Sequence, residues 1–280
     1  MSLGTGTHWQ GPLLGATGAT EDLPVAIQNQ RDAWYVFMDF NIGSELAVGA
    51  GTSWATGTQI GATGVIGGAA VAGGVMRVTS GAVDNAGIGS WQYLPNAVTT
   101  PTTANSISGL DNRKIAMGAR IAISDFSVSD WFFGLGTVDT TFMLATGALA
   151  ATGADNFVGF HHVAEATAQG GLTGPDGNDL RLASAGTAVA NYQGTLLSAA
   201  QAPRPVAANA DVDGVFFEYA IQIIGLTNVE YYINGTLRHR RALGTALAAG
   251  INLVPSFTHV CAGGADANMD IDYVWFGATR

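Results

Sequence analysis

The stretch "VEYYINGTLRHRRA", residues 229–242, decides the fold. A run of β-branched and aromatic residues ends in Asn234-Gly235, and a second alternating run begins at once. A two-residue type I′ turn needs positive φ at both central positions, and Asn followed by Gly tolerates that best. The segment therefore reads as a β-hairpin. Just upstream lies "GVFFEYAIQII" (214–224), in which Phe217, Tyr219, Ile221 and Ile223 fall on one face. Phe216, Glu218, Ala220, Gln222 and Ile224 fall on the other. In "RKIAMGARIAI" (113–123), Ile115, Met117, Ala119, Ile121 and Ile123 share a face opposite Lys114, Gly118 and Arg120. A period of two puts each set on one side of a sheet.

The same texture extends along the chain from Ala33. About a dozen short apolar runs are separated by Gly, Asn, Asp and Pro at roughly 8–15 residue intervals, the spacing of an all-β sandwich or barrel. The Gly/Ala/Thr-rich region 43–74 reads as loops with weak edge strands. Helical potential is confined to "LLSAAQA" (196–202) and "GTALAAG" (244–250). Residues 1–30 have few periodic apolar positions and read as an extended arm, with His8, Trp9, Leu13 and Leu14 as its anchors. An aromatic without a local core needs a partner to bury it, so the arm is expected to dock on another subunit. Residues 31–280 are expected to form a single domain.

Composition bounds the partners. Charged residues are 11% of the 280, with 39 glycines and a net charge of −10. An average soluble chain carries roughly 25% charged residues. A surface this poor in charge is coated with small polar residues or buried in an assembly, which predicts an oligomer. With a single lysine, Lys114, and no long basic run, the chain is not expected to track nucleic-acid phosphates. No run has the roughly 20 apolar residues a bilayer span needs, and no secretory leader is evident, so a protein made in a cytoplasm and independent of membranes is expected. The lone Cys261, inside "SFTHVCAGG", reads as a small buried hydrophobe.

Three blocks stand in order: "RKIAMGARIAISDFSVSDWFFGLGT" (113–137), "GVFFEYAIQIIGLTNVEYYINGTLRHRR" (214–241) and "ANMDIDYVWFGATR" (267–280). Their order resembles concanavalin A-like, or laminin-G-like, jelly-roll domains, in which a "yxNG" hairpin and a final "iDxvxv" strand recur. The closer resemblance is to jelly-roll structural proteins of tailed bacteriophages, which open with an arm like "HWQGPLLG" (8–15) and carry "FxGL" as in "FFGL" (132–135). That resemblance implies a two-sheet antiparallel jelly-roll β-sandwich on the outer capsid surface of a virion. It implies decoration of the head through the major capsid protein, commonly as a homotrimer, with no enzymatic activity and no cofactor. The alternative is a carbohydrate-binding module of a head or tail fibre that attaches to host surface glycans.

The residues of that surface are expected as follows. His8, Trp9, Leu13 and Leu14 of the arm, with Arg238, Arg240 and Arg241 of the hairpin, are candidates for capsid or subunit contact. In a regular two-residue hairpin Tyr231 stands opposite Arg238, and Glu230 opposite His239. Trp54 and Trp91, beside Gly-rich loops, are candidates for glycan contact, whereas Trp131 and Trp275 sit in dense strand patterns and read as core. Glycoside hydrolysis needs two carboxylates about 5–10 Å apart. Concanavalin A-like glycosidases use an E-x-D-x-E strand; the nearest match is "MDIDY", with Asp270 and Asp272 and no glutamate. Glu218 and Glu230 read as solvent-facing strand positions. Asp176, Asp179, Asp211, Asp213, Asp266 and Asp270 are hard oxygen ligands suited to calcium, but they lack EF-hand spacing and read as turn caps. His161 and His162 are adjacent on a strand, point to opposite faces and cannot readily share one zinc. No metal is expected.

Overall fold

The computed structural model of the chain describes residues 33–39, 54–56, 59–60, 68–71, 74–80, 86–93, 98–99, 114–137, 156–164, 179–186, 188–196, 213–225, 228–242, 252–262 and 267–279. The expected arm, with His8, Trp9, Leu13 and Leu14, lies outside them, as do residues 197–202 and 244–250 of the expected helical turns.

Seventeen strands are described: β1 (Ala33–Asp39), β2 (Trp54–Thr56), β3 (Gln59–Ile60), β4 (Gly68–Val71), β5 (Val75–Thr79), β6 (Gly87–Tyr93), β7 (Val98–Thr99), β8 (Lys114–Ile123) and β9 (Ser129–Gly136) in the first half. They continue with β10 (Phe157–Val163), β11 (Asp179–Gly186), β12 (Ala188–Leu196), β13 (Phe217–Ile224), β14 (Asn228–Ile233), β15 (Thr236–Ala242), β16 (Asn252–Cys261) and β17 (Asn268–Thr279). One sheet runs β15-β14-β13-β8-β17-β5-β4, with β1 also on β17. The other runs β12-β11-β10-β9-β16-β6-β2, with β3 on β6 and β7 on β16. Every described pairing is antiparallel. The expected two-sheet antiparallel jelly-roll sandwich is the fold.

The core lies between the sheets and follows the alternation read from sequence. Ile115, Met117, Ala119, Ile121 and Ile123 of β8 meet Tyr219, Ile221 and Ile223 of β13 from one side. Trp131, Phe133 and Leu135 of β9 with Val158 and Phe160 of β10 close it from the other. Edge-to-face aromatic contacts bind the layers, such as Phe160 with Tyr219 (ring centroids 5.2 Å) and Trp131 with Tyr219 (5.4 Å). Cys261 is buried, as expected of a small hydrophobe.

The hairpin turns at Asn234 (φ 49°) and Gly235 (φ 71°), the geometry of the expected turn. It also docks on β13: the Asn234 amide donates to the Glu218 carbonyl (2.8 Å) and the Asn234 side-chain oxygen accepts from the Glu218 amide (2.9 Å). The register differs from a regular ladder. Tyr231 pairs with His239 and Tyr232 with Leu237, so Arg238 is the extra residue of a β-bulge. Glu230 consequently stands opposite Arg240 rather than His239, and Tyr231 opposite His239 rather than Arg238.

A second bulge shapes β17. Ile271 pairs with Ile121 and Tyr273 with Arg120, which leaves Asp272 as the extra residue. The phase shift keeps Ile271, Val274 and Phe276 in the core and turns Asp272, Tyr273 and Trp275 outward. Trp275 is therefore half-buried on the outer face of the sheet and not in the core where its apolar surroundings placed it.

Candidate functional site

The outer face of the eight-stranded sheet carries three successive cross-strand rows. The first joins Tyr273 of β17, Arg120 of β8 and Glu218 of β13. The second joins Trp275, Gly118, Ala220 and Tyr232 of β14. The third joins Ala116, Gln222, Glu230 and Arg240 of β15. Period two places these positions on one face, polar rows flanking an aromatic one.

Gly118 makes room for the middle row. A Cβ there would fall 2.5 Å from the Trp275 indole, so the ring occupies space that only a glycine leaves open. The indole reaches across β8 onto the buried pair Ala220 and Tyr232, against which Leu237 also packs. The face is closed on its β13–β14 side, where Glu218, Ala220, Gln222, Glu230 and Tyr232 are buried. It is open on the β8–β17 side, where Arg120 is exposed and Asp272, Tyr273 and Trp275 are half-buried.

The two glutamates are buried, not solvent-facing as read from sequence, and they differ in environment. Glu230 is fully engaged. Its carboxylate accepts from Arg240 Nε (2.6 Å), from the Tyr232 hydroxyl (2.5 Å) and from the Gln222 amide (3.3 Å), and it is ion-paired with Arg240. Glu218 lies beside the Tyr273 hydroxyl, the Trp275 indole N–H and Arg120, all of which favour its charged form. Burial outweighs them and pushes its carboxyl up to about 7. Neither of its oxygens reaches a well-aligned hydrogen bond within the protein, and Gln222 Oε1 is likewise without a donor. Tyr273 is raised mainly by burial and then by the Glu218 charge. Arg120 reaches the other way, ion-paired with Asp272 and 4.8 Å above the Phe216 ring.

Arg240 is the one solvent-facing anchor of Glu230, its side chain 62% exposed while that of Glu230 is 2%. Arg240→Ala is expected to lower the unfolding free energy by about 2 kcal/mol, because it leaves a buried carboxylate short of its cation. A urea titration checks this, and an unchanged midpoint would refute it.

The other sequence candidates fall elsewhere. Arg238 sits at the hairpin bulge and Arg241 opposite Val229. Trp54 and Trp91 lie in β2 and β6 of the other sheet, opposite Tyr93 and Thr56 respectively, so they do not join Trp275. Asp270 forms a two-pronged pair with Arg77 (2.7 Å for each bond), and Asp213 accepts from the Phe126 amide (3.0 Å). Both are structural uses. Asp176, Asp211 and Asp266 lie outside the described residues, and Asp179 opens β11. His162 faces the core, stacked on Trp131, and the alternation turns its neighbour His161 to the opposite side. Among the described residues no three His, Cys, Asp or Glu converge as metal ligands. Glu218, Gln222 and Trp275 escaped sequence reasoning as a group. The signal for the first two was present in Glu218-x-Ala220-x-Gln222, polar positions interleaved with core ones.

No family model matches the chain, and no curated protein matches it. Solved structures do. Peanut lectin with a nine-residue peptide matches at TM-score 0.56 and 12% identity, over 89% of this chain and 98% of that one. A glycoside hydrolase family 16 protein of the Bacteroides ovatus mixed-linkage glucan locus, in complex with a product, matches at TM-score 0.44 and 13% identity, over 88% and 94%. The kappa-carrageenase of Pseudoalteromonas carrageenovora, in complex with a kappa-carrageenan oligotetrasaccharide, matches at TM-score 0.46 and 12% identity, over 89% and 96%. At these identities the likeness establishes the concanavalin A-like jelly roll and nothing finer. The expectation of a chain without enzymatic activity is corrected here. Glycoside hydrolases stand among the solved structures that match it. None of these three likenesses speaks to a phage head.

Proposed function

We propose that the chain binds a carbohydrate on the outer face of the eight-stranded sheet, over Trp275. One observation carries this reading. A half-buried indole seated over Gly118 stands on the open β8–β17 side of the face, with the exposed Arg120 and the half-buried Asp272 and Tyr273 in the adjoining row. Aromatic rings bury the C–H face of a sugar, and polar groups set around them read its hydroxyls. The jelly roll shared with a lectin supports the reading at the level of fold.

The test is binding of the full chain to soluble mixed-linkage glucan, kappa-carrageenan and a galactomannan. Trp275→Ala is expected to weaken the best of these by about thirtyfold, some 2 kcal/mol, with circular dichroism unchanged. Wild-type protein that binds none of the three sinks the proposal.

The finer role implied by the sequence resemblance, decoration of a phage head as a homotrimer, is a second reading that uses the arm and the hairpin arginines instead. Its support is the match of "HWQGPLLG" and the three blocks, with the low charge content. Binding to purified heads by Trp275→Ala protein separates the two roles, because head attachment through the arm is indifferent to that change.

A further inference from the structure

Each arginine at a described outward position around Trp275 carries its own carboxylate. Arg77 of β5 holds Asp270 through two bonds of 2.7 Å, Arg120 of β8 is ion-paired with Asp272, and Arg240 of β15 is ion-paired with Glu230. In all three the carboxylate is the more buried partner, so the sheet fixes the anion and leaves the guanidinium toward solvent. Lys114 stands two rows beyond Gly118, on the side away from Arg120.

The row beside the indole offers a ligand hydrogen bonds but no surplus cation. The Trp275 N–H and the Tyr273 hydroxyl both lie toward the buried Glu218, so their polar tips are turned to the protein. Arg120 and Asp272 remain. Arg120 donates through one terminal nitrogen to one Asp272 oxygen, which leaves further N–H groups and lone pairs for sugar hydroxyls. Phe216 covers a face of the guanidinium and not its N–H edge. A polyanion brought to the ring meets an arginine already neutralised, a fixed carboxylate beside it and a chain of net charge −10. Like charges so placed cost affinity, whereas uncharged hydroxyls bond to both members of the pair without that cost.

Resting on the carbohydrate reading above, we propose that the face selects uncharged polysaccharides and that Asp272 sets this preference, excluding sulfated or carboxylated chains by neutralising Arg120 beside Trp275. Asp272 reaches this position as the extra residue of the β17 bulge. A regular strand would have left Arg120 without it.

The experiment titrates the full chain with mixed-linkage glucan and galactomannan, which are uncharged, and with kappa-carrageenan, which is sulfated. Each titration is run at about 50 mM and about 500 mM salt. Wild type is expected to bind the better uncharged chain at least about tenfold more tightly than kappa-carrageenan, with little change between the two salts. Asp272→Asn keeps the size of the side chain and removes its charge. It is expected to gain affinity for kappa-carrageenan, about fivefold at the lower salt, the contribution of one exposed ion pair. The gain is expected to vanish at the higher salt and in the double variant with Arg120→Gln. An Asp272 that merely holds its strand would instead weaken all three ligands alike on substitution. The wild-type comparison reports even if Asp272→Asn perturbs the fold. Kappa-carrageenan bound by wild type as tightly as the uncharged chains, or a folded Asp272→Asn without the gain, overturns this selectivity and leaves the binding reading standing. Failure of the wild type to bind any of the three overturns both.

Discussion

Acidification from pH 7 to pH 4 is expected to remove about 6 kcal/mol of folding stability through two core histidines, His162 and His259. Both are buried and both are pushed down to about 4, mainly by desolvation of the charged ring. His162 stacks on Trp131 (5.8 Å, 11° between planes), and its Nδ1 donates to the Ser129 carbonyl at 2.7 Å. His259 Nε2 meets the hydroxyl of the same Ser129 at 3.2 Å. The folded pKa values lie below the unfolded one, so the unfolded chain takes up protons first. The stability is fully present above pH 6.5 and is lost as pH falls from 6.5 to 4, about 3 kcal/mol for each ring.

Glu218 acts with the opposite sign. Its folded pKa of about 7 lies above the usual carboxylate value, so its charge opposes folding from pH 4.5 upward, by about 3 kcal/mol once pH reaches 7. Together these three groups leave a loss of about 3 kcal/mol between pH 7 and 4. Glu218→Gln abolishes the offset and is expected to steepen the loss to about 6 kcal/mol. Urea titrations at pH 7, 5.5 and 4 on wild type, Glu218→Gln and His162→Phe measure all three slopes. Parallel pH dependences for wild type and His162→Phe would refute the role of the core rings.

The second large effect is steric. Gly134 of β9 and Gly159 of β10 face each other in register, on the outer side of the nine-stranded sheet. A Cβ at Gly159 would come within 2.3 Å of the Phe133 carbonyl oxygen and 2.9 Å of the Gly134 Cα. A Cβ at Gly134 would come within 2.2 Å of the Val158 carbonyl oxygen. These obstacles are backbone and cannot rotate away. Phe132 lies near both glycines, with its ring 5.9 Å from that of Phe157, so the aromatic fills the space the missing side chains leave. Gly159→Val is expected to destabilise by at least about 3 kcal/mol, the upper end of the range for overpacking, or to yield insoluble protein. Thermal unfolding decides, and a midpoint within 2 °C of wild type would refute the close approach.

Local patterns in the sequence announced the architecture wherever a strand is regular. Period two in β8 and β13 identified every inward residue, and Asn234-Gly235 located its turn. The patterns failed at the two bulges, because one extra residue shifts the phase without leaving a mark in composition. At Asp272 that shift moved Trp275 from the expected core to the outer face. At Arg238 it moved Glu230 onto Arg240. Glu218 and Glu230 were misread for another reason: alternation tells which face a residue occupies, not whether that face is covered. The candidate site depends on both failures, and so it became visible only once the strands were aligned. Trp54 and Trp91 were singled out by their Gly-rich neighbours, which says nothing about which sheet a strand joins.

The order of strands also governs when this protein can become whole. β16 and β17, the last two described strands, are not at the margins. β17 is wedged between β8 on one side and β5 with β1 on the other, and β16 between β9 and β6. Every described strand before β8 reaches the rest of its sheet only through these two. On a ribosome, then, the strands that precede β8 wait without their partners until residues 252–279 have been made, and a nonsense codon upstream of β16 would orphan them all.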